Sequence, residues 1–133
     1  MRISPYISFD GKCEEAFLEY QRIFGGKIVT MLKYRDAPMV REVDPDSHNR
    51  IIHASLQIND FILAGADTLH GDYKKPQGVF VILNFPEQLT AKKVFHSLSD
   101  GGEVLLPFEE TFWSTGYGIL VDRFGVPWKI NCD

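Results

Sequence analysis

The chain has 133 residues, 44% of them hydrophobic and 24% charged, a balance that supports a buried core without disulfides. Its formal net charge is -4 and its 14 basic residues are scattered, which excludes the basic stripe a nucleic-acid partner needs. No apolar run is long enough to span a bilayer, and the chain's opening, Met1-Arg2-Ile3-Ser4-Pro5, lacks a secretion pattern, so no membrane and a cytoplasmic location are expected.

Residues 2–9 alternate, with Ile3, Pro5, Ile7 and Phe9 on one side and Arg2, Ser4, Tyr6 and Ser8 on the other, the period of a half-buried strand. Asp10-Gly11 and then Glu14-Glu15 open a helix, because acids favour the positive end of its dipole. Ala16, Phe17, Tyr20, Ile23 and Phe24 form one apolar stripe. Gly25-Gly26 ends that helix. Cys13 falls in its first turn, where the dipole favours a thiolate, but no histidine is near in sequence to make it a nucleophile. A strand follows at 27–34, then a polar loop over 35–49, and strands at 50–58 and 61–66 joined by the tight turn Asn59-Asp60. Residues 67–77 (DTLHGDYKKPQ) have no periodicity and read as a linker.

The second half repeats this order. Residues 78–85 form a strand and 86–99 a helix with Ala91, Val94, Phe95 and Leu98 on one face. Gly101-Gly102 ends the helix as Gly25-Gly26 ended the first. Strands follow at 103–108, 117–122 and 127–132, the last preceded by the turn Asp122-Arg123-Phe124-Gly125. The fold class expected is α+β: one domain of two βαβββ modules, 1–66 and 78–133, forming a curved mixed sheet with the helices outside. The polar residues of the alternating strands would then line a concave inner face, a common place for ligands.

Several stretches resemble PhnB-like proteins of the vicinal-oxygen-chelate superfamily, which holds glyoxalases, extradiol dioxygenases and bleomycin-resistance proteins. These are Phe9-Asp10-Gly11-Lys12-Cys13-Glu14-Glu15-Ala16-Phe17 with Tyr20, Phe24-Gly25-Gly26-Lys27-Ile28, and residues 53–60 (HASLQIND). Phe112-Trp113, Tyr117-Gly118 and residues 122–128 (DRFGVPW) complete the set, so the resemblance spans nearly the whole chain. It implies paired βαβββ modules, usually in a homodimer. The superfamily's metal enzymes place His, Glu or Gln on the first and fourth strands of each module. By position, those places fall near Ser4, Ala64, Phe80 and Lys129, or Asn131 if the last strand is shifted by one inward position. Alanine, phenylalanine and a charged lysine are poor ligands for a divalent cation. No metal and no cofactor are therefore expected.

Of the four histidines, His48 lies in the polar loop, His70 in the linker and His96 on the outer side of the second helix. His53 differs. If Ile52, Ala54, Leu56 and Ile58 face the helix, His53, Ser55 and Gln57 face the hollow. The plainer reading of His53 is a hydrogen-bonded structural residue, and the sharper one is an acid, base or ligand. Trp113 and Tyr117 flank a loop entering a strand, where aromatics with polar tips close over small molecules or, more plainly, fill a core or a dimer seam. Glu109-Glu110 is a candidate base and more plainly a solvated strand end. With Trp128 packed on the helix, Lys129 points inward, to meet either an anionic ligand or a carboxylate. No catalytic triad order, phosphate loop or Cys-x-x-Cys pair occurs.

These residues point to a binding protein of the bleomycin-resistance type, holding a small organic molecule through His53, Ser55, Phe80, Trp113, Tyr117 and Lys129. The alternative is a lyase- or dioxygenase-like enzyme, with a rearranged metal site or metal-free acid–base chemistry through His53. The open sheet edges of each module favour a homodimer.

Overall fold

The structure, a computed structural model, describes residues 1–133. It divides into two compact units, Met1–Lys74 and Lys75–Asp133. The first runs β1 (Tyr6–Phe9), α1 (Cys13–Phe24), β2 (Lys27–Lys33), β3 (Ile51–Ile58) and β4 (Phe61–Asp67). The second runs β5 (Val81–Phe85), α2 (Gln88–Ser99), β6 (Glu103–Glu109), β7 (Gly116–Val121) and β8 (Pro127–Cys132). Each is a βαβββ module with one mixed four-stranded sheet, ordered β1-β4-β3-β2 and β5-β8-β7-β6. The fold is α+β. In each sheet the first and last strands pair in parallel, because the helix carries the chain back before they meet.

In the first unit α1 lays Ala16, Phe17 and Tyr20 onto the sheet beside Ile7, Phe9, Ala54 and Leu56. Phe17 meets Phe9 edge-on at 6.1 Å and Tyr20 at 6.0 Å. Gly65 makes room for this cluster, since a Cβ there would lie 2.6 Å from the Ile7 carbonyl oxygen and 3.1 Å from the Phe17 ring. Burial of a side chain like Phe17 contributes roughly 1.5–3 kcal/mol. In the second unit α2 buries Ala91, Val94, Phe95 and Leu98 beside Leu120, Trp128 and Ile130.

The structure departs from the sequence reading at element ends. β1 begins at Tyr6 rather than residue 2, and Ile3 lies open to solvent; Pro5 has no N–H for the ladder, and only its carbonyl takes part, accepting from Ala64 N at 3.1 Å. β5 begins at Val81, because Gly78 has φ of 80° and Val79 and Phe80 lie outside the ladder. Residues 34–47 hold three short 3-10 turns, the first taking Tyr34 out of the expected strand and the others begun by Pro38 and Pro45, with Ala37 and Val43 buried. A bulge falls at Ile52: Leu32 pairs His53 and Lys33 pairs Ile51, so Ile51 takes the fully buried place that simple alternation assigns to Ile52. Asp67 belongs to β4 rather than to a linker. Its buried carboxylate accepts from Cys13 N at 3.0 Å and Ile51 N at 2.9 Å, tying the start of α1 to the start of β3.

Candidate functional site

In each unit one sheet face is covered by the helix and the other is not. Strand pairing fixes which side chains share the uncovered face, because residues directly opposite in a ladder point the same way. In the first unit one row runs Tyr6, Ala64, Ser55, Thr30, and the next carries Ser8, Ala66, His53 and Leu32. In the second unit one row runs Ile82, Lys129, Ile119, Leu106, and the next Asn84, Asn131, Tyr117, Glu109. Tyr6 and Ile82 begin equivalent rows, so the two sheets correspond position by position. His53 corresponds to Tyr117, and Ala64 to Lys129.

On the first face, Tyr6 and His53 form a pair that the histidine's place in sequence does not reveal. The phenolic oxygen lies 3.3 Å from His53 Nδ1, and the rings stack at 5.7 Å with planes 23° apart. Burial, with lesser effects from Cys13 and Tyr34, raises the Tyr6 pKa, so the phenol stays protonated and available as a donor. Such a pair can bind an oxygen acceptor or relay a proton. The alternation of residues 2–9 already placed Tyr6 opposite Ile7 and Phe9, the one signal that pointed to it. Ser55 shares this face but is buried under its neighbours, and Gln57, further along the strand, is exposed and donates to the Asn59 carbonyl. An open groove of about 470 Å³ at the Arg2, Ser4, Gln57 and Asp60 end of this unit touches neither His53 nor Ser55.

On the second face, Lys129 Nζ lies 4.8 Å over the centroid of the Phe80 ring. Trp113 packs edge-on against Tyr117 at 5.4 Å and against Phe112 at 4.7 Å. Trp113 is 57% exposed, so it is not part of a packed core. Asn131 Nδ2 donates to Asn84 Oδ1 at 3.0 Å and to Asp133 Oδ1 at 3.2 Å. Phe112 and Asn84 had no periodic signal to single them out. The six residues expected to bind ligand thus fall as His53 and Ser55 in the first unit, and Phe80, Trp113, Tyr117 and Lys129 in the second.

The remaining candidates take structural or solvent roles. His48 Nε2 lies 2.9 Å from the Val43 carbonyl oxygen, His70 sits exposed at φ of 56°, and His96 is exposed on α2. Glu109 and Glu110 are exposed at the end of β6. Cys13 corrects an expectation: rather than a dipole-stabilised thiolate, it is a fully buried thiol whose pKa is pushed well up by burial and by the charges of Asp67 and Glu14.

Of the places that the resemblance assigns to the superfamily's metal ligands, only the alternative Asn131 offers a buried donor oxygen. Ala64 and Phe80 have no donor atom, Ser4 lies exposed before β1, and the Lys129 ammonium rests on an aromatic ring. No three His, Cys, Asp or Glu side chains cluster elsewhere.

Residues 1–131 match the family model described as 3-demethylubiquinone-9 3-methyltransferase. The crystal structure of protein PA1353 from Pseudomonas aeruginosa is 36% identical, with a TM-score of 0.89 over 100% of this chain and 98% of that one. A putative 3-demethylubiquinone-9 3-methyltransferase, PhnB protein, from Bacillus cereus is 24% identical with a TM-score of 0.85 over the full length of both. A glyoxalase-related enzyme from Fulvimarina pelagi is 17% identical with a TM-score of 0.65, covering 100% of this chain and 89% of that one. The last two likenesses are of fold.

Proposed function

The chain belongs to the family described as 3-demethylubiquinone-9 3-methyltransferase, as a PhnB-like member of the vicinal-oxygen-chelate superfamily, and from that premise we propose that it binds a small organic molecule in the manner of bleomycin-resistance proteins, its ancestral metal site lost. The observation that carries this reading is Trp113. A large aromatic held by two ring contacts, yet more than half exposed, supports a ligand-facing wall rather than a core residue. Phe80, Tyr117 and Lys129 on the same unit supply further aromatic and polar surface. A thermal-shift screen of small aromatic and anionic metabolites tests it. At least one compound should raise the melting temperature of the wild type and leave Trp113→Ala unmoved; a ligand that stabilises both proteins equally would place the site elsewhere.

A second reading is favoured by the Tyr6–His53 contact, which suits metal-free acid–base chemistry or a rearranged metal site built on His53. Elemental analysis of protein purified without chelators discriminates. The binding reading expects no stoichiometric zinc, nickel, manganese or iron, and the second gains if such a metal is present and lost in His53→Ala. We also propose a homodimer, on the strength of the exposed apolar edge strand β6. A cytoplasmic setting accords with the two free, buried cysteines, Cys13 and Cys132. No helix is long and apolar enough to cross a membrane.

A further inference from the structure

Lys129 sits in the middle of a sheet face that offers it no counter-charge. Its row consists of Ile82, Ile119 and Leu106. The flanking rows bring carboxylates only on the edge strand: Glu109 opposite Tyr117 and Glu103 opposite Val121. That strand is two ladders away, roughly 10 Å at the usual strand spacing. Asp133, four residues beyond on the same chain, is engaged by Asn131. The ion pairs of the chain involve other residues, and Lys129 keeps only the Phe80 ring. Within its own unit, no carboxylate pairs with it.

A half-buried ammonium with a ring beneath it and apolar neighbours is electrostatically unfinished. The ring's quadrupole offsets part of its desolvation, but an anion would offset more. Beside it, Tyr117 is diagonal to Lys129 across β7 and β8, and Trp113 stands edge-on to Tyr117. An aromatic wall thus adjoins a single unpaired cation, and Asn131, two residues from Lys129 on the same face, carries a buried Oδ1 that lacks a hydrogen-bond partner. That oxygen can accept only from a donor, such as a hydroxyl or amine substituent.

We infer that the ligand of this face is a planar aromatic carboxylate, its anionic group on Lys129 and its ring against Trp113 and Tyr117. This rests on the binding function proposed above and adds the chemical class.

The test is calorimetry with three probes that share one ring system: 1-naphthoate, 1-naphthamide and 1-naphthylmethylammonium. The carboxylate should bind the wild type at least about tenfold more tightly than the amide, and the ammonium probe should bind least. Lys129→Met should erase the preference for the carboxylate, and Lys129→Arg should keep it. Raising salt from low to high on the unaltered protein should weaken the carboxylate and spare the amide, a readout independent of how the variants fold. Amide binding equal to carboxylate binding, or a carboxylate preference that survives both Lys129→Met and high salt, overturns the inference while leaving a small-molecule site standing. Absence of binding by all three probes overturns the inference. If the broad metabolite screen is also empty, the binding function falls with it.

Discussion

The indole nitrogen of Trp128 donates to the carboxylate of Asp122 at 2.9 Å, and both residues are buried. The other carboxylate oxygen accepts from the backbone of Phe124 at 2.9 Å and Val126 at 3.0 Å. One side chain therefore shapes the turn before β8 and anchors the largest residue of that unit's core.

Asp122→Ala should cost about 3 kcal/mol, because it leaves a buried indole N–H and a buried backbone N–H without acceptors. Asp122→Asn keeps an acceptor and should cost less, about 1–2 kcal/mol. Urea unfolding followed by Trp128 fluorescence in a Trp113→Phe background measures both. Equal losses from the two variants would mean that charge, not hydrogen bonding, is what the site needs.

Phe17 and Trp113 should respond oppositely to truncation. Phe17→Ala empties a fully buried place between Phe9 and Tyr20 and should cost roughly 3–5 kcal/mol. Trp113→Ala removes an exposed ring and should change stability by about 0.5 kcal/mol. Denaturant unfolding of both variants checks the contrast, and a Trp113 variant as unstable as the Phe17 variant would show that ring to be structural.

Cys13 should make the fold sensitive to alkali. Its thiol pKa is raised in the folded state, so folding holds the proton more tightly than the unfolded chain does. The contribution to stability is full below the ordinary thiol value of 9.0 and declines as pH rises from there toward the elevated folded value. Cys13→Ala should flatten the loss of stability above pH 9, measured as melting temperature against pH. The same burial predicts that native protein resists a thiol reagent at Cys13 until it is unfolded.

The exposed edge strand β6 pairs only with β7 and presents Val104, Leu105 and Leu106 to solvent. Sedimentation at micromolar concentration should show a species of twice the 15.2 kDa chain mass. Leu105→Lys should shift it toward the monomer. A single species at the mass of one chain would remove the dimer.

The repeat was legible because its marks are local. Helix stripes at Phe17 and Phe95, paired glycines after each helix and the Asn59-Asp60 hairpin all act through neighbouring residues. What escaped was set by distant groups. Asp67 looked like linker because the N–H groups it serves belong to residues 54 and 16 positions away. Tyr6 was placed on the right side of its strand, but its pairing with His53 spans 47 residues. Cys13 departs from the thiolate that a helix dipole favours because its thiol is buried and, second, lies beside the Asp67 carboxylate. For Lys129, the sequence left anion and salt bridge equally open; only the register of β7 and β8 shows that its row holds no acid.

The two glycines that precede β2 and β6 have a consequence for how this chain tolerates change. A Cβ on Gly26 would stand 2.3 Å from the Gln57 carbonyl oxygen, and one on Gly102 would stand 2.2 Å from that of Val121. Both obstacles are backbone, so no rotamer change relieves them. Gly25, Gly71 and Gly78 meet nothing within 4 Å and oppose substitution only through their backbone angles. In a saturation library selected for folded protein, positions 26 and 102 should therefore each retain a single letter of the alphabet, as should 25, whose ψ of -153° only glycine adopts readily, while asparagine survives at 71 and 78.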